Sequence, residues 1–189
     1  QEGVIELLAY RNRDDGFSAK TPVHFYFEIR QKDEVLKISE KYELDLMKEI
    51  SVNTNVLSNI KVHSPENIYA EIYAKENDLD DVIFLNPNKK IARTIYGNLL
   101  LLEENTIKIP KQTEGAYISA LMENFVTFVH KNNLATIEEA ELSAFESQKA
   151  EEILVISDEK GIFTVSKIRN KEFGNERYKT MLEAWKTSF

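Results

Sequence analysis

Leu57-Ser58-Asn59-Ile60-Lys61, the helix start at Ser64-Pro65 and the run Asp81-Val82-Ile83-Phe84-Leu85-Asn86 decide how this chain is read. Lys61 lies between apolar Ile60 and Val62, where a first group of strands ends and a helix is about to begin. Taken alone, such a lysine is a surface residue on a connecting segment, because lysine is almost never buried unless paired. Ser64 offers a capping hydroxyl, and Pro65 sits in the first helical position, where its missing N–H is not needed. Ile68, Tyr69, Ile72 and Tyr73 then share one helical face and are expected to turn toward a core. Asp81 to Asn86 reads as a buried strand, and Asn86-Pro87-Asn88 as the turn that ends it.

Upstream of Lys61 the pattern is β. Val4 to Tyr10 has strand character, Asp14-Asp15-Gly16 reads as a loop, and His24 to Arg30 alternates Phe25, Phe27 and Ile29 on one face, as a half-buried strand should. Tyr42, Leu44 and Leu46 alternate likewise, so Lys41 to Ile50 is expected to be a strand. Downstream, Ile91 to Leu102 reads as a strand pair broken at Gly97-Asn98. Gly115 precedes a long helix with Ile118, Leu121, Met122, Phe125, Val126 and Val129 at helical spacing. After Asn132-Asn133 a shorter acidic helix is expected around Ile137 to Ala150, with Glu138-Glu139-Ala140-Glu141 as its solvated face. Strands at Ile153 to Ser157 and Ile162 to Ile168 and a helix from Glu176 to Trp185 complete the chain. The fold class is α+β, with an N-terminal lobe over 1–60 and an α/β C-terminal lobe over 61–189.

Composition narrows the function. With 189 residues and 42% hydrophobic content the chain can bury a real core. A net charge of -8 opposes nucleic-acid and anionic-membrane partners, both of which repel such a surface. There is no cysteine, which excludes disulfides and thiolate metal sites, and His24, His63 and His130 are too scattered for a zinc spacing. Apolar runs such as Leu99 to Leu102 are far shorter than the roughly 20 residues that cross a bilayer. A soluble, cytoplasmic protein is expected.

Lys61, Leu85-Asn86, Asn98-Leu99, Gly115-Ala116, Ala150-Glu151-Glu152 and Gly161-Ile162 occur in an order and at spacings that resemble the class IV aminotransferase family. These are the fold-type IV pyridoxal-phosphate enzymes, which include aminodeoxychorismate lyases and branched-chain and D-amino-acid aminotransferases. The resemblance implies a two-lobed fold with a truncated N-terminal lobe, pyridoxal 5'-phosphate as cofactor and a homodimer as assembly. It also implies that Lys61 holds the cofactor as a Schiff base and, once displaced by the substrate, moves a proton at the substrate's Cα.

The resemblance also shows departures. Where the family has a glutamate that protonates the cofactor's ring nitrogen, this chain has Arg93, in Ile91-Ala92-Arg93-Thr94. A guanidinium cannot accept that proton. Arg93 therefore either sits at the ring, where it favours a racemase-like proton transfer over transamination, or turns outward to an acidic neighbour. The family's phosphate site, backbone N–H groups at the start of the long helix, maps to Ser119-Ala120-Leu121-Met122, which makes Ala120 and Leu121 cofactor-binding positions. A hydroxyl from the late turn maps to Ser157 in Ile156-Ser157-Asp158-Glu159. There Asp158 and Glu159 either repel a phosphate or are solvated turn residues. The family's His-x-x-Arg motif, which precedes the segment matched by Ile5 to Arg11, has no counterpart, so the chain is either an excerpt or a homologue that lacks part of that lobe. His63, two residues from Lys61, has no sequence partner that would make it a base, and Tyr69 and Tyr73 at helical spacing suit a core better than a cleft.

Two functions follow. One is a pyridoxal-phosphate-dependent transferase or lyase, acting as an amino acid transaminase or on an aminated chorismate as a 4-amino-4-deoxychorismate lyase. Such substrates carry carboxylates, for which Arg93 is a candidate cation. The other is a non-catalytic homologue that keeps the fold for binding or assembly.

Overall fold

The computed structural model describes residues 2–11, 22–32, 36–61 and 64–188. Asp14-Asp15-Gly16 and His63 lie outside the described residues. The chain forms two compact units, residues 1–37 and residues 38–189.

The first unit is a hairpin of β1 (Glu2–Arg11) and β2 (Val23–Lys32). Its antiparallel register sets Ile5 opposite Ile29, Leu7 opposite Phe27 and Ala9 opposite Phe25 on one face, with Leu8 opposite Tyr26 on the other. The other face pairs Glu6 with Glu28 and Tyr10 with His24, whose rings stack 5.7 Å apart. The strand alternation expected for Phe25, Phe27 and Ile29 is present. Half-burial is not: Phe27 is 64% and Ile29 76% exposed, because a two-stranded ribbon has no second layer of its own.

The second unit is built on a nine-stranded mixed sheet. Its elements in chain order are β3 (Ile38–Leu46), α1 (Pro65–Glu76), β4 (Asp81–Leu85), β5 (Ile91–Thr94), β6 (Asn98–Glu103), β7 (Thr106–Pro110), α2 (Ala120–Lys131), β8 (Thr136–Ala140), α3 (Ala144–Lys149), β9 (Glu152–Ser157), β10 (Gly161–Ile168), β11 (Lys171–Glu172) and α4 (Glu176–Lys186). The strands lie in the order β5-β4-β3-β10-β9-β6-β7-β8, with β11 on β10. Pairing is parallel at β4–β3, β3–β10 and β7–β8 and antiparallel at the other joints. β9 is central and buried along its whole length, which is why Ile153 to Ile156 is a continuous apolar run instead of an alternating one.

Helices cover the sheet according to which side chains they can bring close. α2 and α4 meet through Phe125 and Trp185, edge to face at 5.3 Å, and both are at most 1% exposed. Burial of side chains of this size stabilises by about 2–3 kcal/mol each. The Trp185 indole N–H donates to Asn124 Oδ1 at 2.9 Å, so its polar edge is satisfied as well. The N-terminus of α4 is held by buried Glu152, whose carboxylate accepts the amides of Arg177 (2.9 Å) and Tyr178 (2.8 Å).

Of the α1 face that the sequence sets toward a core, only Tyr73 packs there, half-buried. Ala70 and Ala74 are buried, whereas Ile68, Tyr69 and Ile72 are 41–51% exposed. The small face wins because alanines let the helix approach β4 closely, and Asn67 on the same side makes buried hydrogen bonds. The acidic stretch is divided too. Thr136 to Ala140 is edge strand β8, parallel to β7, and only Ala144 to Lys149 is helical. Its glutamates still face solvent, in the manner of a charged edge strand. β5 and β6 are strands as expected, yet they are not hydrogen-bonded neighbours: β5 pairs with β4, and β6 with β7 and β9.

Candidate functional site

The segment that carries Lys61 is fixed to the approach of α2 by its neighbour Asn59. The Asn59 amide donates to the carbonyls of Gln112 (2.6 Å) and Ala116 (2.7 Å), and its own carbonyl accepts from Ile118 N at 2.8 Å. Asn98, at the head of β6, holds the next residue from the other side. Its side chain donates to Tyr117 O and accepts from Tyr117 N, both at 2.8 Å. Gly97 lets β6 begin there, since a Cβ on it would lie 2.2 Å from the Ile156 carbonyl oxygen. Gly115 adopts φ +101, a left-handed turn that only glycine enters without strain. Together these contacts deliver α2 with its N-terminus beside the Lys61 segment.

Ser119 caps α2: its hydroxyl oxygen accepts Met122 N at 3.1 Å. The two free amides before it, those of Ala120 and Leu121, both donate to the carboxylate of Asp158, at 3.2 and 3.0 Å. The Ser119 hydroxyl donates to the same carboxylate at 2.7 Å. Orphan N–H groups and the positive end of the helix dipole make such a position an anion site, and here the anion is a side chain of the chain itself.

The adjacent residue, Glu159, forms an ion pair with the Lys61 ammonium. The Lys61 hydrogen bond holds the Glu159 carboxyl below the usual carboxylate range, against the opposing effect of partial burial. Lys61 Nζ also lies 5.4 Å from the centre of the Tyr96 ring. Ser157 is buried, and its hydroxyl accepts the amide of Lys160 at 3.0 Å within its own turn. The side chain that reaches α2 from this turn is the next one, Asp158.

Arg93 does not turn outward. It is 7% exposed, with its guanidinium between the rings of Tyr117 (4.4 Å) and Phe84 (4.8 Å). Nη1 donates to Asn67 Oδ1 at 3.0 Å and to Thr94 O at 2.9 Å, while Nε has no partner. Burial pushes the guanidinium pKa down; the ring of Tyr117 and the carboxylates of Asp81 and Glu66 oppose that. Arg93 and Tyr117 line a cleft of about 140 Å³ together with Leu57, Ser58 and Ile60 of the Lys61 segment. That is smaller than the roughly 300–1,000 Å³ of a typical small-molecule site.

The structure thus brings Lys61, Ala120 and Leu121 to one turn, Ser157 to Lys160, and sets Arg93 in the cleft that the Lys61 segment lines. Sequence reasoning did not find Asp158 as the partner of α2. Aspartate is a common residue at helix N-termini, but this one comes from a strand end nearly forty positions away, and spacing carries no signal of that. Among the described residues no group of three or more metal-ligating side chains occurs, and no helix is long and apolar enough to cross a membrane.

Comparison with known proteins identifies the fold and the family of the chain. No curated protein matches the sequence. Among solved structures, a protein provisionally named 4-amino-4-deoxychorismate lyase from Legionella pneumophila superposes with a TM-score of 0.84 at 17% identity, over 99% of this chain and 70% of its own. A branched-chain aminotransferase from Thermoproteus uzoniensis, solved with norvaline, gives 0.81 at 15% identity, over 97% of this chain and 63% of its own. The branched-chain amino acid aminotransferase from Thermobaculum terrenum, in its PLP form, gives 0.79 at 15%, over 98% and 63%. The chain therefore spans a little under two thirds of the two aminotransferases. At these identities the likeness is one of fold, and the fold is α+β of the fold-type IV kind. The sequence profile of the amino-transferase class IV family matches residues 1–168, and on that match the chain belongs to the class IV amino-transferase family.

Proposed function

We propose that the protein binds pyridoxal phosphate in the second unit and acts on a small amino-acid or aminated chorismate substrate, as an amino acid transaminase or a 4-amino-4-deoxychorismate lyase. The observation that carries this reading is the pair of partners taken by adjacent Asp158 and Glu159. Because these two residues are adjacent, the α2 amides that hold one and the Lys61 ammonium that holds the other face the same turn. An amine and an anion cradle that face one turn suit a small molecule with an aldehyde at one end and a phosphate at the other.

The residues fit the cofactor at both of those ends. The Asp158 carboxylate stands in for a phosphate oxygen pair, which supports the amides of Ala120 and Leu121 and the Ser119 hydroxyl as its holders. Lys61 supplies the amine. When bound, the cofactor supplies a carbonyl for that amine and a ring that delocalises charge. Lys61 Nζ, released from Glu159, is then the group that moves a proton at the substrate carbon. Arg93 gives the cleft its positive charge, toward the cofactor ring or toward a substrate carboxylate. Assignment of 1–60 and 61–189 as the two lobes, a homodimer and a cytoplasmic location belong to the same proposal.

A second reading, a homologue that keeps the fold for binding or assembly, is favoured by Arg93. By the resemblance Arg93 stands where the family has its ring-nitrogen glutamate, and its buried guanidinium cannot accept a proton. Titration with pyridoxal phosphate, followed by visible absorbance, separates the two readings. The first expects a protein-bound band that is absent in Lys61→Ala, and no difference between the two proteins leaves the second.

A further inference from the structure

The turn that follows β9 is more than a connection, because its two acidic side chains engage the two ends of the proposed cofactor site at once. Asp158 takes the free amides of Ala120 and Leu121 and the Ser119 hydroxyl, and Glu159 takes the Lys61 ammonium. We infer that the Asp158-Glu159 pair is an internal competitor for a phosphate monoester at the start of α2, so that the anion cradle opens only when this turn moves away. The inference rests on the pyridoxal-phosphate reading for the identity of the competing ligand, but not for the exchange itself.

The physical argument is one of exclusive occupancy. Each amide N–H donates one good hydrogen bond, and those of Ala120 and Leu121 are directed at the same carboxylate. A phosphate in that place would meet the Asp158 charge at contact distance, where two like charges cost several kcal/mol unless water screens them. The two anions therefore exchange. The exchange is feasible because Asp158 and Glu159 are exposed and lie outside the core, while Ser157, the residue before them, stays buried at the end of β9. Glu159 couples the two ends: as the turn moves, the Lys61 amine is freed in the same step that the cradle empties.

Thermal unfolding and ligand titration of the intact chain test this, with Asp158→Ala as the open variant and Asp158→Asn as an isosteric one that keeps an acceptor. Inorganic phosphate, compared with chloride at equal ionic strength, is expected to raise the Tm of Asp158→Ala and to leave the wild type unchanged. Pyridoxal phosphate is expected to bind Asp158→Ala roughly tenfold tighter than wild type, the scale of one exchanged helix-capping contact, with Asp158→Asn between the two. Equal phosphate stabilisation and equal pyridoxal-phosphate affinity in wild type and Asp158→Ala overturn the inference while sparing the cofactor reading. Phosphate stabilisation of Asp158→Ala without pyridoxal-phosphate binding by any form supports the exchange and removes the cofactor reading. No response of Asp158→Ala to either ligand overturns both.

Discussion

At the scale of single residues, buried charge sets the terms of stability and site alike. Asp81 is fully buried at the head of β4, where it accepts the amides of Val82 (2.7 Å) and Ile95 (2.9 Å) and the Tyr42 hydroxyl (3.1 Å). Burial outweighs those hydrogen bonds and pushes its pKa up to about 6. A raised pKa means that the folded state holds the proton more tightly than the unfolded one. The contribution is therefore fully present below the ordinary aspartate range and is lost as pH rises through about 6. Across that window it amounts to roughly 3 kcal/mol. Asp81→Asn, which stays neutral, is expected to lose this dependence: urea midpoints at pH 5 and pH 7.5 should diverge in the wild type more than in the variant. Parallel behaviour would show that Asp81 titrates like an exposed carboxylate. Glu159 has the opposite sign, since its lowered pKa gives a contribution present above the usual carboxylate range and lost as pH falls, but the group is exposed and the effect small.

At the scale of elements, the sequence was legible where period and length agreed, and misleading where a small or charged residue decided the contact. β4, β9, β10, α2 and α4 stand where their apolar runs and stripes put them, except that α2 starts at Ala120 and leaves Ile118 before it, 63% exposed. α1 was misread on its facing: two alanines, not Ile68 and Ile72, reach the sheet, and apolar periodicity weighs large residues over small ones. Thr136 to Ala140 was misread as helix because glutamate suits a helix, whereas its pairing with Thr106 to Pro110 is a long-range fact. The site shows the same division. Lys61 and the α2 amides stood in readable motifs; Asp158 acts across the fold. Two contacts between elements can be tested directly. Gly97→Ala forces a methyl against the Ile156 carbonyl and is expected to cost roughly 3 kcal/mol or more in urea unfolding. Glu152→Ala leaves two amides of α4 without their acceptor and is expected to cost about 2 kcal/mol, with faster amide exchange at Arg177 and Tyr178. An unchanged midpoint in either variant would contradict the packing described.

At the scale of the whole molecule, order is unevenly distributed between the two units. Residues 38–189 contain the buried core, while the hairpin of β1 and β2 carries its apolar face exposed within its own unit. Two-stranded ribbons are marginal alone. Hydrogen exchange is therefore expected to find the β1 and β2 amides far less protected than those of β9; equal protection would mean that the apolar face of Phe25, Phe27 and Ile29 is covered in solution. Within residues 38–189 the proposed site has the Lys61 amine at one end and the amides at the start of α2 at the other. Pyridoxal phosphate and pyridoxal differ only in the phosphate. The most direct measurement presents each at saturation to the intact chain, fixes the adduct with borohydride and maps the labelled peptides by mass spectrometry. The expected result is a phosphate-dependent label on Lys61, with pyridoxal scattered over exposed lysines. The same scatter for both compounds would contradict the account.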